Sequence, residues 1–253
     1  MDRAPGLARE RGKRRVDLRL EMGPHSASLT DIAAAFAALG GVFVAPVERL
    51  AERAAACRGL VLDWDGVFNA GVKDSNGESP FSEADSMGLN LLRFAMWRAH
   101  GRLPITAIIT GEENPAVRRF ATREHLDVVY TGVRNKVAAL ERLCATHGVE
   151  PERLAAVFDD VNDLGVAARC GVRLLVRRDS SPLLREHAVR RGIVDYVTGA
   201  PSGANAVREA AELMLGLTGS FDAAAALRAS WDPEYVRYFE ARQAVETRFE
   251  KAP

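Results

Sequence analysis

From Gly59 onward, short and continuously apolar runs alternate with longer stretches of helical period. This alternation constrains the fold more than any other feature of the chain. A run such as Gly59-Leu60-Val61-Leu62 is apolar on both faces, so it cannot lie half in water and needs helices above and below it. Strands are predicted over residues 59–63, 105–110, 128–130, 154–159, 172–176 and 195–197, and helices over 87–99, 115–124, 134–147, 162–168, 182–190 and 204–217. Helices between successive strands act as crossovers, which make the strands parallel. The fold class is therefore α/β, a Rossmann-like parallel sheet with helices on both faces.

The flanks differ from this unit. Residues 1–25 carry Arg3, Arg9, Arg11, Lys13, Arg14 and Arg15 without hydrophobic period and read as a basic mobile arm. Residues 26–57 read as an N-terminal helical extension. Thr30 and Asp31 cap a helix through Ala38, Gly40-Gly41 stop it, and a second helix covers 47–56. Residues 58–218 form the strand–helix unit itself. Residues 219–253 form a C-terminal helical extension, with a helix over 231–249 in which Tyr235, Tyr238, Phe239 and Phe249 are packing residues. Lys plus Arg (34) equal Asp plus Glu (34), so no global field attracts nucleic acid or an anionic membrane. Neither a run of membrane-spanning length nor a signal-peptide pattern is found. Cys57, Cys144 and Cys170 form no CxxC pair and no even disulfide framework. A cytoplasmic protein with no nucleic-acid and no membrane partner is expected.

Chemistry concentrates where strands end. Val61-Leu62-Asp63-Trp64-Asp65-Gly66 carries an apolar strand directly into two aspartates and a glycine. Ligands of open α/β sheets bind at such carboxyl ends. Taken alone, the pair could be an Asx-type turn closing the strand. However, Asp159-Asp160-Val161-Asn162-Asp163 repeats the arrangement after another predicted strand. Carboxylates gathered by two strand ends repel unless a cation offsets them, and hard oxygen ligands suit Mg²⁺. Thr110-Gly111 ends a third strand with a hydroxyl and a flexible backbone, and Lys136 stands near a helix start.

In this order, Asp63-Trp64-Asp65-Gly66-Val67, Thr110-Gly111, Lys136 and Asp159-Asp160 with Asp163, the chain resembles the haloacid dehalogenase superfamily of phosphohydrolases. Within it, residues 59–217 are most similar to the small phosphatases of 3-deoxy-octulosonate 8-phosphate and nonulosonate 9-phosphates. The resemblance implies a Mg²⁺-dependent phosphomonoester hydrolase of a small sugar phosphate. Asp63 would be the nucleophile, forming an aspartyl-phosphate, and Asp65 the acid and base. Mg²⁺ would be held by Asp63, Asp65 through its backbone carbonyl, and Asp159. Asp163 would serve as a further ligand or hydrogen-bond from outside the coordination sphere. Thr110, Gly111 and the N–H groups of Trp64, Asp65 and Gly66 would hold the phosphoryl oxygens, with Lys136 offsetting their charge. Asp85, Glu112, Asn114 and Arg208 are candidate substrate contacts. Phe158 replaces the subfamily's usual glycine, and Glu112-Glu113 stand where many members carry arginine. Alternatives on the same scaffold are a sugar phosphomutase and a catalytically weak binding or assembly module.

Spacing bears on access to the site. Residues 68–87 have room for a β-hairpin turning at Asn76-Gly77, in place of a cap domain. An uncapped site is open to water, and the resemblance implies a homo-oligomer, a tetramer, in which a neighbour covers it.

Overall fold

The computed structural model describes residues 27–251. The basic arm expected over 1–25 lies outside them. In chain order the elements are α1 (Leu29–Ala38), β1 (Val42–Phe43), α2 (Val47–Ala56), β2 (Gly59–Leu62), α3 (Glu83–His100), β3 (Ile105–Ile109), α4 (Pro115–Glu124), β4 (Val128–Thr131) and α5 (Lys136–His147). They continue with β5 (Leu154–Phe158), α6 (Leu164–Ala167), β6 (Val172–Arg177), α7 (Pro182–Arg190), β7 (Tyr196–Pro201), α8 (Ala206–Leu217), α9 (Phe221–Ala229), α10 (Pro233–Gln243) and β8 (Arg248–Lys251). One eight-stranded sheet runs in the order β1-β7-β6-β5-β2-β3-β4-β8, and only β1 is antiparallel to its neighbour. The parallel α/β sheet expected from the strand–helix alternation is present.

Period-two alternation divides each central strand between two cores. Leu60 and Leu62 of β2 and Ala155 and Val157 of β5 face a core built with α1–α4 and α8–α10. Val61, Ala156 and Phe158 face the second core, against α5, α6 and α7. Both faces of β2 and β5 are therefore dry. Two polar residues placed just past these strands emerge from the most buried part of the sheet. Cys57 and Cys170 are core residues whose thiols burial pushes up to about 12, and none of the three cysteines is paired.

Local chemistry accounts for several departures from the expected elements. Ser28, rather than Thr30 and Asp31, caps α1. Its hydroxyl accepts the Asp31 N–H at 3.2 Å, while the Asp31 carboxylate accepts the Ser28 N–H at 3.0 Å, a capping box. The stretch 162–168 is only a 3₁₀ turn followed by the four-residue α6. No hairpin strands form between 68 and 82. The turn at Asn76-Gly77 is present, closed by Gly77 N–H to the Asp74 carbonyl at 3.0 Å, but the flanks stay irregular. The Asp74 side chain takes the Asn76 and Glu78 N–H groups at 2.8 and 2.9 Å, and Pro80 has no N–H for a ladder.

The tail is not a single helix over 231–249. Trp231 adopts φ 53°, which breaks the chain after α9, and Asp232 caps α10 by accepting the Glu234 N–H at 2.8 Å. The following Val245, Thr247 and Phe249 favour extended backbone, and β8 pairs in parallel with the outer edge of β4. At the opposite edge, unassigned from sequence, β1 pairs with β7, so each flank of the chain supplies one edge strand.

A buried polar cluster ties α10 to the sheet unit. Glu124 accepts from the Ser86 hydroxyl at 2.8 Å, from Arg123 at 2.7 Å, from Arg242 at 3.3 Å and from the Asn90 amide. Burial alone would raise the Glu124 carboxyl, but these donors outweigh it and lower it. Glu124→Ala removes the acceptor beneath buried Arg242 and is expected to cost about 3 kcal/mol of unfolding free energy. Urea denaturation measures it, and a loss below about 1 kcal/mol would show that the cluster behaves like a solvated surface pair.

Candidate active site

Immediately after β2, Asp63 N–H still donates to the Val157 carbonyl at 3.1 Å, so the aspartate continues the strand direction. Trp64 is fully buried and stacks on Phe68 at 4.8 Å, beside Phe81 and Phe120. This anchor fixes the backbone between Asp63 and Asp65. Gly66 has φ 90°, and a Cβ there would lie 1.9 Å from Asp159 Oδ2. Only glycine lets the two acidic loops approach this closely.

Lys136 opens α5, whose cap is Asn135. Its ammonium is buried and donates to Asp63 Oδ1 at 2.7 Å and to Asp163 Oδ1 at 2.6 Å. The second Asp163 oxygen accepts the Asp160 N–H at 3.3 Å. Asp159 follows β5. Both of its carboxylate oxygens are buried without a hydrogen-bond partner, and Arg178 Nη1 stands 3.2 Å from one of them.

Burial sets this cluster against its own charge. Burial, then the neighbouring Asp163, pushes Asp63 up to about 7 against the pull of Lys136. Burial, then Asp63, pushes Asp159 up to about 8 against Arg178. Burial raises Asp163 as well, against Lys136. Burial would lower Lys136, but Asp63 and Asp163 outweigh it and raise it.

These residues fit a divalent cation. One oxygen each of Asp63, Asp159 and Asp163 lie within 4.8 Å of one another. The Asp159 oxygens are hard donors, already desolvated and without a hydrogen bond, a set that suits Mg²⁺. Asp163 has both oxygens engaged, by Lys136 and by the Asp160 N–H, so its geometry suits holding Lys136 rather than a metal. Asp160 is exposed and caps the 3₁₀ turn after β5.

The other candidates fall into two groups. Thr110 is buried at the end of β3, the strand beside β2, with its backbone bonded to Tyr130 and Val133. Gly111 follows in the open. Asn114 caps α4, accepting the Ala116 N–H at 2.9 Å, and its amide donates to Ser79 at 2.6 Å. Asp85 and Arg208 meet each other instead of the acid cluster. The Asp85 carboxylate accepts the Arg208 N–H at 2.8 Å at the start of α8, and the Arg208 guanidinium is held by Glu212. Glu112 is exposed with no ion pair among the described residues, whereas Glu113 pairs with Lys251 at 2.7 Å.

Three residues of the site escaped the sequence reading. Arg178 directly follows β6, so the strand-end rule that found Asp159 would have found it. Lys73, whose ammonium is 3.4 Å from Asp65 Oδ2, and Ser79, which donates to Asp65 Oδ1, sit in the irregular loop and carry no motif. A groove of about 560 Å³ opens beside Lys73, walled by Val72, Glu78, Phe81 and Arg119.

Known proteins share this architecture. No family model matches the chain. The 3-deoxy-D-manno-octulosonate 8-phosphate phosphatase of Escherichia coli K12 is 32% identical over 169 residues, covering 65% of this chain and 82% of that protein. The crystal structure of the Yersinia pestis phosphatase of the same name superposes with a TM-score of 0.58 at 30% identity, covering 69% of this chain and 89% of that one. The Moraxella catarrhalis phosphatase, solved with magnesium, phosphate and the octulosonate, gives 0.58 at 26% identity, over 72% and 98%. The chain belongs to the haloacid dehalogenase superfamily, in the subfamily III A branch that holds these octulosonate phosphatases.

The raised carboxylates predict a pH-dependent stability. The folded chain keeps protons that the unfolded chain, with ordinary aspartates near pH 4, releases. Without metal, stability is therefore expected to fall as pH rises from about 4 through about 8, and Mg²⁺ should restore it. Differential scanning fluorimetry should show a larger Mg²⁺-induced rise in Tm at pH 8 than at pH 5. An equal rise at both values would separate the metal from this cluster.

Proposed function

We propose that this protein is a Mg²⁺-dependent phosphomonoesterase that removes phosphate from a small sugar phosphate through an aspartyl-phosphate on Asp63. One observation carries the reading. Asp63 is held by a buried ammonium beside the unpartnered carboxylate of Asp159, at adjacent strand ends. An aspartate in that position is desolvated and oriented, and the ammonium opposes the rise that burial imposes on its carboxyl.

Asp63 and Asp159, with the Asp65 carbonyl, would hold the metal, which supplies positive charge for the phosphoryl oxygens when bound. In the first step an Asp63 oxygen forms a bond to phosphorus, the bond from phosphorus to the sugar oxygen breaks, and Asp65 gives that oxygen a proton. In the second step water attacks phosphorus, Asp65 takes the water's proton, and phosphate leaves with Asp63 restored as a carboxylate. Lys136 offsets charge on the phosphoryl group, and Thr110 with the backbone N–H groups of Trp64, Asp65 and Gly66 orients it. Gly111 leaves the approach open. Glu112, exposed at the same strand end, would select against a second anionic group near it.

The relatives' names give an octulosonate 8-phosphate, which supports a sugar phosphate as substrate, and Glu112 favours sugar phosphates without a carboxylate near it over ulosonate-type ones. Val72 and Val161 are exposed on loops at this end of the sheet, an apolar rim suited to a second copy of the chain that would cover an otherwise uncapped site. Light scattering is expected to give a homo-oligomer, and a fully active monomer would remove that part of the reading.

The central test is phosphate release against a panel of sugar phosphates with Mg²⁺ present and after chelation. Turnover should require the metal and should fall at least about a hundredfold in Asp63→Asn, with Tm retained. Activity that survives exhaustive chelation, or that Asp63→Asn leaves above that level, would sink the mechanism.

A further inference from the structure

Asp65 must present one particular oxygen to the leaving group, and its loop contains no motif that would hold it. The structure supplies the hold through Ser79. The Ser79 hydroxyl is fully buried and has three polar neighbours. Trp64 Nε1 lies at 3.1 Å, Asn114 Nδ2 at 2.6 Å and Asp65 Oδ1 at 2.5 Å. The indole nitrogen and the amide nitrogen can only donate, so together they occupy both lone pairs of the hydroxyl. The single hydroxyl proton is left with one direction, toward Asp65 Oδ1. Asn114 cannot be flipped to relieve this, because its carbonyl oxygen already accepts the Ala116 N–H as the cap of α4.

Two rigid donors therefore set the direction of the third bond. Trp64 is locked in the aromatic cluster, and Asn114 is locked at a helix start. Oδ1 of Asp65 always accepts and so carries no proton. Proton traffic is confined to Oδ2, which has Lys73 at 3.4 Å.

We propose that Ser79 is a positioning residue that reserves Asp65 Oδ1 as a permanent acceptor and so commits Oδ2 to proton transfer with the leaving oxygen. This rests on the reading of the site as a phosphatase with Asp65 as its acid. In the step affected, phosphorus bonds to Asp63, the ester bond breaks, and the electron pair left on the ester oxygen takes the Oδ2 proton. Without Ser79 the carboxyl rotates, and the proton is misdirected for part of the time. The penalty depends on how much the leaving oxygen needs that proton. A nitrophenolate leaves almost unaided, whereas an alkoxide does not.

The test compares kcat/KM of wild type and Ser79→Ala on p-nitrophenyl phosphate, phenyl phosphate and ethyl phosphate, with Mg²⁺ present. This parameter reports the step in which the leaving group departs and excludes the later attack of water. Ser79→Ala is expected to lose about thirtyfold or more on ethyl phosphate and only about threefold on p-nitrophenyl phosphate, with phenyl phosphate between them. Ser79→Cys keeps the volume with a weaker donor and should show the same order with smaller factors, which covers a failure of the alanine variant to fold. Equal losses on all three esters, in whichever variant folds, would overturn the proposal and leave Ser79 as a packing residue. A wild type inactive on every ester would instead overturn the phosphatase reading itself, and the inference with it.

Discussion

One buried ammonium organises the end of the sheet where the acids gather. Lys136 joins Asp63, which follows β2, to Asp163, which belongs to the turn after β5, and it does so from the first residue of a helix on another connection. Removing a charge of either sign from such a group leaves the others unpaired in a dry environment, which costs more than any surface pair. The loops at this end are therefore not free to vary independently. Asp163 spends both oxygens on this arrangement, whereas Asp159 makes no hydrogen bond and is met only by the charge of Arg178. The buried oxygens of Asp159, its raised carboxyl and the glycine that admits it have one cause, the crowding of acids at two adjacent strand ends.

The scaffold explains how such a cluster is tolerated. The central strands β2 and β5 are covered on both faces, so their backbone cannot shift to relieve repulsion among the acids at their ends. Aromatic packing under Trp64 holds the loop from below, and the Ser79 bridge holds it from the side. Between β2 and α3 the described residues form only an irregular loop with an Asx-stabilised turn. The loop reaches the acid site through Lys73 and Ser79 alone among its residues from 72 to 80.

Much of this was legible from residue order, and the gaps have physical causes. Continuous apolar runs marked the parallel strands because burial on both faces leaves no other composition possible. Asp63 and Asp159 stood out because carboxylates at the ends of such runs are costly without a use, while Lys136 and Asp163 stood out only by their order along the chain. The structure brings the four together. Asp85 and Arg208 were read as substrate contacts, yet the carboxylate of one receives the backbone N–H of the other, a helix start built across 123 residues of sequence. Nothing local distinguishes that from a binding residue. Ser79 was invisible for the converse reason: its importance lies in two donors from distant elements, and a serine in a polar loop carries no period. The tail was misjudged because its aromatic spacing suits a helix, and only the open edge of β4 turns the final segment into a strand.

That edge strand has a bearing on how the molecule is made. β8 pairs with β4, which precedes it by more than a hundred residues, and it consists of nearly the last described residues of the chain. During synthesis β2 and β5, which lead into the acids, and β3 between β2 and β4 are made with their helices while β4 still presents a bare row of amides and carbonyls. The growing chain thus passes through a stage in which its chemistry can be assembled and its sheet is still open to pairing with another nascent copy. The interval ends only when residues 248–251 emerge and lie down beside β4.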